Sequence, residues 1–356
     1  LIDKPYPPRQ KVVAKAADVE RLLASSLFSG IAATRMVFVN GEYDKALSKQ
    51  ANGWVESTAE LSDPVNLMNV AFATDGARLR IEGNVDTPIE LVFIATDAAP
   101  RTVATRNVIE IADDASATVI ETHLGEGSYL SNAVTEIRIG HNARLDRVKV
   151  ELEYHDAVHL AHCHVIVGQN VTFRDFTLTT GAKLNRQNGT FRFIGEFADA
   201  KISGAYLLAG KQHADTALIV DHEVPNCASR ELFKCVMDDH ARGIFQGKVI
   251  VRPGAQKTDG KQTNNTLLLS KDAQIDTKPQ LEIFADDVKC THGATVGRID
   301  ETALFYLKSR GVGQLLARQL LMYAFAADVL ETIENEAVKE ALEQLTMVRF
   351  TGETSH

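Results

Sequence analysis

A chain of 356 residues with 45% hydrophobic and 24% charged side chains is long enough for a large buried core, and its 9 prolines and 23 glycines exclude a collagen-like or disordered polymer. A formal net charge of -9, a pI near 5.7 and the lack of any dense Lys/Arg stretch predict no nucleic-acid partner. Four cysteines without a Cys-x-x-Cys pair point to free thiols in a reducing, cytoplasmic setting, and no apolar run reaches the roughly 18 residues of a membrane span, so no membrane partner is expected.

The first ten residues, with Pro5, Pro7 and Pro8, predict an extended lead-in, and the opening on Leu1 leaves room for a trimmed upstream segment. Residues 11–29 place Val12, Val13, Ala16, Val19, Leu22, Leu23 and Leu27 near helical spacing, predicting one amphipathic helix closed by Gly30. Asn40-Gly41 between MVFVN and EYDKAL predicts a two-residue hairpin.

From Asn69 to about Phe284, roughly a dozen short apolar runs such as IELVFIAT, RLDRVKVELEY and GIFQGKVIV follow one another with no convincing helix between them. Segments such as IADDASATVI, IGHNARLDRV and VGQNVTFRDF share one plan: an apolar end, a turn with Asp or Asn plus a small residue, and a new apolar start. This fits the stacked coils of a parallel β-helix better than a sandwich or propeller, although no strict period emerges.

After Val296 the pattern turns helical. Asp300 precedes ETALFYLKSRG, with Lys308 and Arg310 in its last turn and Gly311 after it, and GVGQLLARQLLMYAFAADVLETI and ENEAVKEALEQLTMV predict two more helices. The expected organisation is an N-terminal helix and hairpin region over 1–66, a β-helix core over 67–297 and a C-terminal helical region over 298–356.

Several stretches suggest chemistry. GAQKTDGKQT imitates a phosphate-binding loop, but five residues separate Gly254 from Gly260 and Gln262 stands where Ser or Thr would bind Mg²⁺, so no nucleotide site is expected. In YHDAVHLAHCHVIVG, a strand would point His162 and His164 to one face, so one reading is a β-rich metalloenzyme using the His155–His164 cluster; a solvated sheet face is the plainer alternative. Cys227, at a Pro-Asn turn, is expected to be more exposed than Cys235, which is expected in the core. Ser229 and His222 could pair, but no oriented acid accompanies them. Cys290 and His292 in VKCTHGAT share a face if extended; thiolate and imidazole suit iron or zinc, yet two ligands do not close a site.

The run KTDGKQ, LLLS, DTKPQLEIFADDVKCTHGATVG and LFYLKSRG resembles the C-terminal core of the SufB/SufD family of iron-sulfur cluster assembly proteins, most like its SufD branch. HEVPNCASRELFK and GIFQGKVIV add weaker likeness. The resemblance implies a mainly β protein, a right-handed parallel β-helix flanked by helical regions. It also implies a non-enzymatic scaffold that pairs with a SufB-like subunit and docks a SufC-like ABC ATPase through its C-terminal helices. It implies that Cys290 and His292 are candidate ligands of iron or a transient iron-sulfur cluster at a shared interface, and that Leu304, Phe305, Tyr306, Leu307 and Arg310 belong to the ATPase-docking segment. A homodimeric adaptor without metal is the remaining alternative.

Overall fold

A computed structural model describes residues 14–32, 34–49, 52–53, 55–57, 63–96 and 102–351. Helix α1 (Ala16–Ala24) precedes β1 (Thr34–Val39) and β2 (Glu42–Tyr43), and α2 (Pro64–Phe72) follows. Next come β3 (Arg78–Ile81), β4 (Ile89–Ala95), β5 (Thr102–Ile111), β6 (Ser116–Gly125), β7 (Leu130–Ile139), β8 (Arg144–Leu152), β9 (Val158–Val167) and β10 (Thr172–Thr179). The chain continues through β11 (Leu184–Phe193), β12 (Asp199–Leu208), β13 (His213–His222), β14 (Ala228–Met237), β15 (Arg242–Val251), β16 (Asp259–Leu268), β17 (Gln274–Ile283) and β18 (Lys289–Gly297). Helices α3 (Glu301–Ser309), α4 (Gln314–Leu330) and α5 (Glu336–Thr351) complete it.

From β3 onward, successive strands alternate between two sheets, one of ten strands and one of eight, and every pairing except β1–β2 is parallel. That is the parallel β-helix read from the sequence. The β1–β2 hairpin turns on Asn40 and Gly41, whose φ values of 56° and 87° suit the right-handed strand twist. Because β1 also pairs with β4, the N-terminal hairpin is part of the ten-stranded sheet. Residue 66 lies inside α2.

The corners explain the recurring turn segments. Asp114, Asn142, Asn170, Phe197, Asn226 and Lys257 all adopt left-handed φ and each precedes a strand of the ten-stranded sheet. Their side chains form a ladder where chemistry permits: Asn142 Nδ2 donates to Asp114 Oδ1 at 3.0 Å and Asn170 Nδ2 to Asn142 Oδ1 at 3.0 Å. The next residue turns inward, and Ala115, Ala143, Val171, Ala198 and Cys227 are all buried there. No period was visible because coils differ in length: 27 residues separate Asp175 from its register partner Ile202, whereas 31 separate Glu231 from Gln262.

In β8 the alternation runs opposite to simple amphipathicity. Val148 and Val150 pack outward with Leu304, Ala317, Met322, Ala326 and Val329 of the C-terminal helices, while Arg147, Lys149 and Glu151 are buried inside the coil. Helix α1 packs on β4 and β6, and α2 lies on β5, β7 and β9 of the other sheet. Helix α1 is shorter than the periodicity suggested: the Ser25 hydroxyl donates to the Leu22 carbonyl at 2.7 Å and the chain leaves the helix before Gly30, while residues 11–13 lie outside the described residues. Helices α3 and α4 fall within the expected runs, whereas α5 continues to Thr351, past the Val348 that ends its run; the Asp300 carboxylate accepts from Thr302 N–H at 2.8 Å and Gly311 at φ 86° ends α3.

Candidate functional site

Strand β18 ends the ten-stranded sheet, paired with β16 on one side and with no described strand on the other. Its Lys-Cys-Thr-His run is extended, so Cys290 and His292 lie on one face, in register with Gly260 and Gln262. Gln262 and Gly260 belong to inward-facing rows, and Cys290 is half-buried against the main core. A Cβ at Gly260 would stand 3.4 Å from the Cys290 sulfur, an ordinary van der Waals contact, so the thiol packs directly over the β16 backbone. Burial pushes the Cys290 thiol above its usual pKa, so formation of a thiolate there depends on a cation or metal arriving.

His292 is exposed because no described coil covers the inward row of β18. The same open end leaves Val296 of β18 and Ile283 of β17, both on inward rows, 52% and 40% exposed. Beneath His292, Gln262 Nε2 donates to Glu231 Oε2 at 2.7 Å, and burial raises the Glu231 carboxyl to about 7. The pair Cys290/His292 thus sits at the uncovered mouth of the coil interior.

The other sequence-predicted groups disperse. His162 and His164 share the outer face of β9, stacked at 3.8 Å, and both contact the Asn66 amide of α2, at 3.3 and 3.0 Å. Burial lowers both, His162 to about 4, so they act as neutral partners of α2. His155 is exposed at a corner, and His159 faces inward between Glu151 and Glu153. Cys227 is buried, contrary to the expectation from its turn, because it occupies the inward position after a left-handed corner; its thiol lies 3.3 Å from the Gly195 carbonyl. Cys235 is in the core as expected, pushed up to about 12 by burial. His222 and Ser229 do meet, at 3.0 Å, but both are fully enclosed and His222 Nδ1 has no hydrogen-bond partner, so nothing orients the imidazole as a base.

A family model for the SUF system FeS cluster assembly SufBD core domain matches residues 93–325. The chain belongs to the SufBD family. Iron-sulfur cluster assembly protein SufD of Escherichia coli is 33% identical, the match covering 92% of this chain and 82% of that protein. A SufBD family cluster assembly protein of Synechocystis is 30% identical over 89% of this chain and 78% of its own length. The SufD of Bacillus subtilis is 27% identical over 77% of this chain and 64% of that protein.

In this SufBD chain, Gly260 and Lys261 of the phosphate-loop look-alike lie within β16, with no helix N-terminus following to receive a phosphate. Gly311 and Gly313 lie between α3 and α4. Of the residues expected at a docking segment, Leu304 is buried and Leu307 half-buried on a helix that packs against α4, whereas Phe305, Tyr306 and Arg310 are exposed, the Arg310 guanidinium 5.2 Å from the Tyr306 ring centroid. Helix α4 adds exposed Leu315, Leu316 and Leu320. No helix among the described residues is long and apolar enough to cross a membrane.

The inward charges of β6, β8 and β10 escaped the sequence reading. Arg147 donates from Nε to Glu121 Oε1 and from Nη1 to Asp175 Oδ1, both at 2.7 Å, and Lys149 Nζ lies 2.7 Å from Glu151 Oε1. A signal was present, since Arg147, Lys149, Glu151 and Glu153 alternate with Val148, Val150 and Leu152; alternation alone does not tell which face a later helix will cover.

Proposed function

We propose that this chain is a non-enzymatic scaffold subunit of a SufBCD-type complex, contributing Cys290 and His292 to iron or a transient iron-sulfur cluster at an interface with a SufB-like subunit. The observation that carries this reading is the uncovered end of the coil. Inward-row Val296 and Ile283 are left in contact with water beside a thiol and an imidazole that cannot complete a metal's coordination alone. A partner strand stacking on β18 would cover that apolar surface, pair the exposed edge and supply the missing ligands. In isolation, a second copy of the chain would cover the same edge.

The C-terminal helical region over 298–356 is the proposed docking site for a SufC-like ATPase, through Phe305, Tyr306 and Arg310 with Leu315, Leu316 and Leu320. Leu304 and Leu307 support that surface from beneath. ATP chemistry belongs to that partner, and the cytoplasm is the proposed compartment. The test is reconstitution with SufB-like and SufC-like subunits: His292→Ala should reduce cluster formation while the circular dichroism and melting of the chain stay unchanged. Unchanged cluster formation would refute the ligand assignment.

A further inference from the structure

The coil interior holds a second group of metal-binding side chains, several coils from β18. His123 of β6, Glu153 just after β8 and His159 of β9 each offer a ligand atom within 4.8 Å of the others, and all three are buried. We propose that His123, Glu153 and His159 form a divalent-cation site inside the β-helix, taking a first-row ion such as Zn²⁺ or Fe²⁺.

None of the three ligand atoms is committed to an aligned hydrogen bond, although Glu153 and His159 form a close ion pair. His123 Nε2, Glu153 Oε2 and His159 Nδ1 have no hydrogen-bond partner, and although Glu153 Oε2 and His159 Nδ1 approach to 2.8 Å, they lack the alignment of a hydrogen bond.

The surroundings are those of a metal site. At the far nitrogen, Lys149 Nζ lies 3.0 Å and Glu151 Oε1 3.1 Å from His159 Nε2, and Glu151 Oε1 pairs with Lys149 Nζ at 2.7 Å; with an ion on Nδ1, Nε2 would carry the proton and Glu151 would be the carboxylate that accepts it. Tyr129 Oη donates to Glu153 Oε1 at 3.3 Å, leaving Oε2 for the ion, and Phe93 stacks on His123 at 4.8 Å. A small cavity lined by Phe93, His123, Tyr129 and Glu153 adjoins the group.

Charge favours occupancy. Four enclosed carboxylates, Glu121, Glu151, Glu153 and Asp175, face the enclosed cations Arg147 and Lys149, leaving negative charge that a proton on His159, or a divalent ion in its place, would offset. Two imidazoles and one carboxylate suit zinc or iron, whereas calcium and magnesium require oxygen.

The experiment uses the full chain carrying Cys290→Ser and His292→Ala, so that the terminal pair cannot supply the metal. After unfolding with chelator and refolding with Zn²⁺, one ion per chain should survive dialysis against chelator. Glu151→Gln should weaken retention by about 10–100-fold, and His123→Gln or Glu153→Gln should abolish it. Refolding with Co²⁺ instead should give ligand-field bands of a nitrogen-oxygen set without a thiolate charge-transfer band, a readout that needs none of the three interior variants to fold. A chain that refolds metal-free, interior variants that keep the ion, or a thiolate band would each overturn the site. None of these outcomes bears on Cys290 and His292.

Discussion

Arg147→Met tests how much the enclosed charges contribute to the fold. The guanidinium is 4% exposed and forms 2.7 Å hydrogen bonds to Glu121 and Asp175, whose side chains are 1% and 7% exposed. Burial alone would raise the Glu121 carboxyl; the charge and hydrogen bond of Arg147 override it and hold Glu121 well below the ordinary range. For Asp175 burial prevails and the carboxyl is raised despite Arg147. Methionine keeps much of the volume but leaves two carboxylates enclosed without their cation, a change that costs about 3–5 kcal/mol. The triple variant Arg147→Met, Glu121→Gln, Asp175→Asn removes charge on both sides and should recover most of that loss. Urea denaturation followed by far-ultraviolet circular dichroism measures both as midpoint shifts. A loss below about 1 kcal/mol for Arg147→Met, or a triple variant as unstable as the single one, would show that the enclosed ion pairs do not carry this part of the stability.

Further outcomes follow from the same geometry. Glu231, raised by burial from 4.5 to about 7, contributes stability that is fully present below 4.5 and lost as pH rises through 7; Glu231→Gln should remove about 3 kcal/mol of that decline, read as the variant-minus-wild-type difference across pH. His222, lowered by burial from 6.5 to about 4, has the opposite sign: its stabilisation is present above 6.5 and lost as pH falls through 4, and His222→Asn should flatten that acid limb in the same difference measurement. Phe305→Glu, at a side chain 72% exposed, should leave the melting temperature within a degree or so while weakening ATPase-partner binding at least about tenfold by calorimetry.

The fold was legible where chain chemistry is local. Asn40-Gly41 specified its hairpin, Asp300 and Gly311 bounded α3, and the Asp/Asn-small segments marked the left-handed corners. Phe197 and Lys257 hold the same corner geometry without a turn-forming side chain, so their coils gave no such mark. Cys227 was misread because proximity to a turn suggests exposure, whereas the residue after the corner points into the core. The candidate site was only half visible: spacing put Cys290 and His292 on one face, and the family likeness gave them a role. That the face forms the uncovered mouth of the coil depends on which strand is last. The His123, Glu153 and His159 group was out of reach because its members converge only when coils of unequal length stack.

Cys290 and His292 are proposed as ligands whose coordination a partner chain completes. The most direct test of this assignment is the iron and acid-labile sulfide content of the complex reconstituted with the SufB-like and SufC-like subunits, comparing wild type with Cys290→Ser/His292→Ala. The assembled complex should form in both cases, and the double variant should lose most of its iron and sulfide. Equal iron and sulfide in the two complexes would contradict it.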